Sequence, residues 1–104
     1  MLVVTSNDIP GKTITETLGL VKGEMVQSKH VGKDFLAGMK NFIGGEVKSY
    51  TKMIKEARQE ATDRMIEEAE KLGADAVIAV RYGSSGVMQG AAEVIAYGTA
   101  VKLK

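Results

Sequence analysis

The sequence predicts an α/β fold of the α+β two-layer type, a four-stranded sheet with two helices. The main observation is a long charged helical pattern, Tyr50 to Leu72, that stops at Gly73. It turns through Ala74 and Asp75 into an apolar run, Ala76 to Val80, which is typical of a helix followed by a buried strand. Further β-rich segments lie on both sides, so we expect a β-α-α-β-β core in one domain over residues 1–104.

Two strands are predicted before the helices. Leu2 to Thr5 is a short β-rich segment, and Pro10-Gly11 supplies the turn that follows it. From Thr13 to Val26 the chain resumes β character. Gly19 and Gly23 interrupt this second strand on one face, and we expect each to mark a β-bulge or a close approach of another backbone.

Two helices are predicted next. Lys33 to Ile43 carries one apolar stripe and is followed by Gly44-Gly45, which we interpret as its end. Ser49 can then cap the second helix. The apolar face of that helix repeats every three or four residues and has small side chains in its middle, which suits close docking on a sheet: Ile54, Ala57, Ala61, Met65, Ala69 and Leu72. Its other face is charged.

The chain ends in two more predicted strands, Ala76 to Tyr82 and Ala91 to Leu103. The segment between them, residues 83–90, is rich in glycine and serine, so we expect a mobile loop rather than a tight hairpin. Both faces of the last strand are largely apolar. Two helices cannot cover both faces of such a sheet, and the sheet surface left over favours self-association.

Composition excludes several classes of function. The 104 residues include no cysteine, which excludes disulfides, thiolate nucleophiles and cysteine-ligated metals. The net charge of +1 and the 5% aromatic content disfavour nucleic acid as a partner. No apolar run reaches the length of a membrane span, and there is no signal peptide, so we expect a cytoplasmic protein that binds no membrane. No catalytic motif is present, and we predict neither enzymatic activity nor a cofactor.

Two ordered sets of residues resemble the YbjQ family of small bacterial and archaeal proteins. The first is Lys33-Asp34-Phe35-Leu36-Ala37-Gly38, with Gly44-Gly45 and Ser49-Tyr50 after it. The second is Leu72-Gly73-Ala74-Asp75-Ala76-Val77, with Gly98-Thr99-Ala100-Val101 near the end of the chain. The resemblance implies a dodecin-like subunit that assembles into a ring-shaped homopentamer. The family has carried a heavy-metal-binding label, which the resemblance extends to this chain.

The residues give that label little support. Soft metals prefer thiolate, thioether or imidazole ligands, and the chain has one histidine, His30. An isolated polar residue at a loop is more often a surface or capping residue than a ligand, although a ring of His30 side chains around an oligomer axis could form a site. The methionines lie mostly on apolar stripes, where core packing is the commoner role. His30 is the single metal-ligand candidate.

Glycine-rich turns give the best candidate for binding a small ligand. Backbone N–H groups in a turn, together with a helix N-terminus at Ser49, attract anions. The candidate residues lie in one segment: Gly44, Gly45, Lys48, Ser49, Tyr50 and Lys52. A plain interhelical turn is the simpler interpretation of the same residues. Asp75 similarly has a simple interpretation, an Asx-type turn that accepts hydrogen bonds from local backbone N–H groups.

Together these observations predict a non-enzymatic homo-oligomer, expected to be a pentamer from the resemblance, that binds a small ligand at its subunit interfaces. Two alternatives remain open from the sequence. One is a metal-binding protein, as the family label says. The other is a structural or interaction module whose partner is a protein.

Overall fold

The computed structural model describes the backbone of residues 1–28, 44–88 and 91–104, and the side chains of residues 1–26, 51–86 and 91–104. Its elements are β1 (Leu2–Val3), β2 (Ile14–Ser28), α1 (Gly44–Lys71), β3 (Ala76–Met88) and β4 (Ala91–Leu103). The predicted α+β class with a four-stranded sheet is therefore confirmed. The predicted helix Lys33 to Ile43 lies outside the described residues, so α1 is the one helix on which the description of the fold rests.

The sheet is mixed, with strand order β1-β3-β4-β2. β1 pairs in parallel with the start of β3, while β4 lies antiparallel between β3 and β2. β2 and β3 consequently run in the same direction with β4 inserted between them. The chain from β2 to β3 crosses one face of the sheet, and α1 packs on that face against all three long strands. The other face is called the outer face below.

The helix begins earlier than predicted. The sequence places a helix stop at Gly44-Gly45 and a new start at Ser49, but α1 runs without a break from Gly44 to Lys71. Two glycines cost a helix about 1 kcal/mol each in its interior and much less at its first positions, where glycine is tolerated. The apolar spacing of Val47, Tyr50 and Met53 also continues that of the later helix, so the glycine pair belongs to this helix and does not end it.

The predicted loop at residues 83–90 is also wrong in its larger part. β3 continues to Met88, which pairs with Ala91 at the start of β4. Gly83 to Gly86 have low β propensity, but each of them pairs with a residue of β4 between Ala92 and Ile95. Strand pairing therefore overrides local propensity here. The β4 bounds agree with the prediction.

Small aliphatic side chains form the core between α1 and the sheet. On the helix, Ala57, Ala61, Met65 and Ala69 are fully buried, as their spacing predicts. They meet valines and alanines from all three long strands: Val21, Val77, Val80, Val94, Ala96 and Ala100. Leu72 does not join them, because it lies beyond the end of α1 and is 47% exposed. On the charged face of the helix, Glu60 and Arg64 form an ion pair at 3.2 Å.

A smaller core covers one end of the outer face. Ala76, Ile78 and Val101 are buried there beneath partly buried side chains of the N-terminal segment, Val4 and Ile9 among them. Main-chain hydrogen bonds hold this segment in place, from Val4 N to the Val77 oxygen and from Ala79 N to the Ser6 oxygen. The N-terminal segment thus closes the outer face at the end of the sheet where β1 pairs.

Both glycines of β2 have the predicted roles. Gly19 has a φ of 126°, and the register of β2 with β4 shifts between Thr17 and Gly19, which marks a bulge. Gly23 lies beneath α1, and a Cβ placed there would collide with the Ala61 carbonyl oxygen. The same Cβ would lie 2.5 Å from the Met65 nitrogen. The close backbone approach predicted for this strand is therefore at Gly23.

A second bulge lies in β3. Two residues lie between Ile78 and Arg81, while only one, Gly98, lies between their partners Thr99 and Tyr97. β3 therefore carries one extra residue at this point. Ala79 accommodates the extra residue with a φ of 53°, in the left-handed region that residues other than glycine rarely adopt. The Arg81 guanidinium then reaches back across the bulge and donates to the Thr5 and Val80 oxygens. The bulge ties the middle of β3 to the N-terminal segment.

Asp75 accepts a hydrogen bond from a backbone N–H, although not a local one. Its Oδ2 accepts from the Leu103 nitrogen at 2.9 Å, and its own nitrogen donates to the Val101 oxygen. The predicted Asx-type turn was right about the kind of partner and wrong about its position. Asp75 fastens the end of β4 to the entrance of β3, which is a structural role.

We expect Asp75→Ala to lower the free energy of unfolding by about 1 kcal/mol, because the Leu103 N–H loses its charged acceptor. Asp75→Asn keeps an oxygen at the same place and should recover most of that loss. The measurement is urea unfolding of the three proteins at one concentration. Equal stability of the alanine and asparagine variants would show that the carboxylate oxygen does not hold β4.

Candidate functional site

The predicted ligand-binding residues all fall in the first nine residues of α1. Because α1 begins at Gly44, the Ser49 nitrogen lies inside the helix rather than at its N-terminus, and the anion-binding argument for Ser49 no longer holds. Side chains of Gly44, Gly45, Lys48, Ser49 and Tyr50 lie outside those described, and Lys52 is exposed. Ligand binding by this group stays a prediction.

The metal candidates are not brought together. His30 lies outside the described residues. Met53 is 4% exposed and Met65 is fully buried, so both pack in or beside the core as expected. In the part of the chain that the structure describes, no three histidine, cysteine or acidic side chains lie close enough to hold a metal ion. The described residues therefore do not fit a heavy-metal site.

Among the described residues, two recesses flank α1, one along each side of the sheet. The first, called the β2 recess, has a volume of about 360 Å³ and lies where α1 rests on β2 at Gly23. Its lining is almost entirely charged: Lys22, Gly23, Glu24, Arg64, Glu67, Glu68 and Lys71. Three basic and three acidic side chains leave it with no net charge.

Arg64 is fixed in the wall of the β2 recess. Its guanidinium donates to the Glu24 carbonyl oxygen at 2.7 Å and to Glu60 Oε1 at 3.2 Å. Lys22 and Glu24 form a further ion pair at 3.5 Å. β2 is an edge strand, so the bond from Arg64 occupies a main-chain acceptor that would otherwise be free at the edge. Two of the three basic side chains in the lining, Lys22 and Arg64, are therefore already in ion pairs.

The second, called the β3 recess, is smaller, with a volume of about 100 Å³. It is lined by Ile54 and Arg58 from the helix and by Tyr82, Gly83, Ser84 and Val94 from the sheet. The Tyr82 ring forms a wall, because its hydroxyl lies 2.9 Å from Thr62 Oγ1. Thr62 uses its own proton on the Arg58 oxygen, so Tyr82 is the donor in that pair.

The sequence did not identify the β3 recess. Arg58 belongs to the charged face of the predicted helix, and residues 83–86 belong to the predicted loop. No spacing in the sequence links them, because Arg58 and Ser84 meet only once α1 has crossed the sheet. The high glycine and serine content of residues 83–86 was the one available signal, and it led to the wrong element.

In the described part of the chain, no element covers the outer face beyond the part that lies beneath the N-terminal segment. Leu20 is 69% exposed, Val26 is 58% exposed and Tyr97 is 40% exposed. The alternation of β2 and β4 places these three side chains on the same face, opposite the buried Val21 and Ala96. No helix in the described residues is long and apolar enough to span a membrane.

Comparison with known proteins covers the whole chain. The model of the YbjQ_1 family, described as "Putative heavy-metal-binding", matches residues 1–104. A UPF0145 protein of Fervidobacterium nodosum is 62% identical over all of this chain and 96% of its own length. Another UPF0145 protein, from Methanosarcina acetivorans, is 53% identical over 99% of this chain and 97% of its own.

A solved structure shares the fold. It is a protein of the DUF74 family from Pediococcus pentosaceus, 18% identical, with a TM-score of 0.63 over 100% of this chain and 98% of that one. At that identity the likeness concerns the fold alone. The family model and the similar sequences cover the chain from end to end, and the resemblance found in the sequence is confirmed: the chain belongs to the YbjQ family.

Proposed function

We propose that this chain is a non-enzymatic subunit of a closed homo-oligomer, a pentamer in the expected form, that binds a small ligand where its subunits meet. The observation that carries the proposal is the open outer face. Leu20, Val26 and Tyr97 expose apolar surface on one side of a sheet whose other side is a packed core. A second copy of the chain is the occupant we assign to that face.

The shape of the subunit supports assembly. Its principal extents are 53 × 23 × 16 Å, and its radius of gyration is 17.0 Å. A compact chain of this length would have a radius of about 13 Å. The length comes from described elements, since β2 has 15 residues at about 3.4 Å each and α1 has 28 at about 1.5 Å each.

The exposed area leads to the same proposal. The accessible surface is 6602 Å², against about 5,650 Å² for a typical monomer of 11.1 kDa. The excess of about 950 Å² is surface that the elongated subunit leaves to solvent and that an assembly would cover in part. Burying apolar surface of this kind stabilises an assembly by about 25 cal/mol per Å² before the costs of association.

Native mass spectrometry of the purified protein tests the proposal. We expect a pentamer at micromolar concentration, and any retained ligand or metal would add to its mass. Leu20→Glu should raise the subunit dissociation constant about 30-fold or more, because about 2 kcal/mol of apolar burial is lost and a charge is placed in the contact.

Leu72→Glu is the matched control, since Leu72 is also an exposed leucine but lies at the end of α1, away from the outer face. It should leave the oligomer intact. A monomeric wild type would end the proposal. Equal dissociation of the two variants would remove the outer face as the contact surface.

The metal-binding alternative comes from the family description. It draws no support from the donors in the described residues, where the carboxylates of the β2 recess are matched by lysines and an arginine. A metal ion retained at one per subunit in the same mass spectrum would favour this alternative over an organic ligand.

A further inference from the structure

The two recesses differ in the charge that they leave unmatched. The β2 recess has three basic and three acidic side chains, and two of its basic groups already form ion pairs. The β3 recess has Arg58 and no acidic side chain in its lining. Within the described residues, no carboxylate oxygen lies within 4.0 Å of the Arg58 guanidinium. The β3 recess is therefore the one that would favour an anion.

The remaining lining of the β3 recess restricts the kind of anion. Ile54 and Val94 are apolar, and the Tyr82 ring is held in place through its hydroxyl. Ser84 adds one hydroxyl beside Gly83. An ion with one charged end and a short hydrocarbon body suits such a lining better than a fully polar ion does. Apolar walls offer no hydrogen bonds to replace those that polar atoms lose with water.

The volume sets the size. About 100 Å³ is roughly three times the share of one water molecule in liquid water, which is room for a molecule of about five heavy atoms. Arginine binds a carboxylate through two parallel N–H···O bonds, the geometry in which it is most selective. Size, charge and apolar walls are all met by a short aliphatic carboxylate.

We propose that the β3 recess binds a short aliphatic monocarboxylate, with Arg58 holding the carboxylate, Ser84 donating a further hydrogen bond, and Ile54, Val94 and the Tyr82 ring enclosing the hydrocarbon end. This site is separate from the ligand proposed where subunits meet, because its described lining belongs to one chain and lies on the helix side of the sheet. The proposal therefore goes beyond the proposed function and does not rest on the oligomer.

Isothermal titration calorimetry with propionate tests the assignment, with propionamide as the uncharged ligand of the same shape. We expect propionate to bind with a dissociation constant on the order of 1 mM, a modest affinity for so small a ligand. Propionamide should bind at least about 10-fold more weakly, since it cannot make a charge-assisted bond with arginine.

Arg58→Gln should weaken propionate binding about 10-fold or more, because it removes the charge that holds the carboxylate. Arg64→Gln makes the same change on the same helix, in the wall of the other recess, and should leave the affinity unchanged.

Three results would overturn the proposal. The first is propionate binding that Arg58→Gln leaves unchanged, and the second is no propionate binding to the wild type at 50-fold the expected dissociation constant. The third is inorganic phosphate that binds more tightly than propionate and depends on Arg58, which would assign the recess to a different anion. Light scattering on the same samples separates this failure from that of the assembly, because an oligomer without propionate binding overturns only the recess assignment.

Discussion

Gly23→Ala should lower the free energy of unfolding by about 3 kcal/mol, the largest effect that we expect from a single methyl group in this chain. Its Cβ would collide with the carbonyl oxygen of Ala61 and lie 2.8 Å from the Arg64 Cβ. These neighbours belong to the backbone or the rigid base of a side chain, so α1 as a whole must move away from β2. Overpacking of this kind costs about 1–3 kcal/mol, and loss of the helix contact places the expected value at the upper end.

Gly86→Ala is the matched control. It lies on β3, and nothing stands within 4 Å of a Cβ built there. Alanine should change stability by less than about 0.5 kcal/mol at this position. Both variants are compared with the wild type by urea unfolding at a single protein concentration, since assembly makes stability depend on concentration. A Gly23 variant as stable as the Gly86 variant would show that α1 does not rest on the β2 backbone.

Gly98→Ala should cost about 2 kcal/mol for a different reason. Gly98 lies on β4 opposite the bulge of β3, where an added Cβ would be 2.8 Å from Val77 Cγ1, 2.9 Å from the Ile78 oxygen and 3.0 Å from Val80 Cγ2. The bulge brings these groups together from both sides of its extra residue. The two valines are fully packed in the core, so neither can turn aside without strain elsewhere.

Gly83→Ala provides the comparison for Gly98. Its Cβ would meet only Ile95 Cγ2, at 3.2 Å, and that atom is the end of a flexible side chain. We expect a change below about 0.5 kcal/mol, read from the midpoint of thermal unfolding followed by circular dichroism. A similar loss of stability in the two variants would show that the contacts at the bulge do not make Gly98 more sensitive than Gly83.

Local pattern predicted the parts of this fold that a single element decides. The bounds of β4, the buried stripe from Ala57 to Ala69 and the special role of Gly23 follow from spacing alone. The errors arise where a glycine has two interpretations. Gly44 can end one helix or begin another, and Gly83 can leave a strand or continue in one. Tertiary pairing decides both cases, and it is not visible in a window of ten residues.

The candidate site was harder to predict for the same physical reason. Arg58 and Ser84 belong to elements that meet because α1 crosses the sheet between β2 and β3. Their types are common on protein surfaces and carry no motif. The candidate residues between Gly44 and Lys52 depend on a helix N-terminus at Ser49, but the helix already includes Gly44. A binding residue without a local motif emerges only from the folded arrangement.

The extra residue at Ala79 has a consequence for how this sequence can change. Side chains of a regular strand alternate between faces, so Val77 and Tyr82, five residues apart, could not both face the helix without the bulge. The bulge takes up one residue, and Ile78 and Arg81 both lie on the outer face, opposite Thr99 and Tyr97. Removing Ala79 would restore the regular alternation and keep Tyr82 and Ser84 towards the helix, so related chains should tolerate a one-residue deletion at this position without losing the β3 recess.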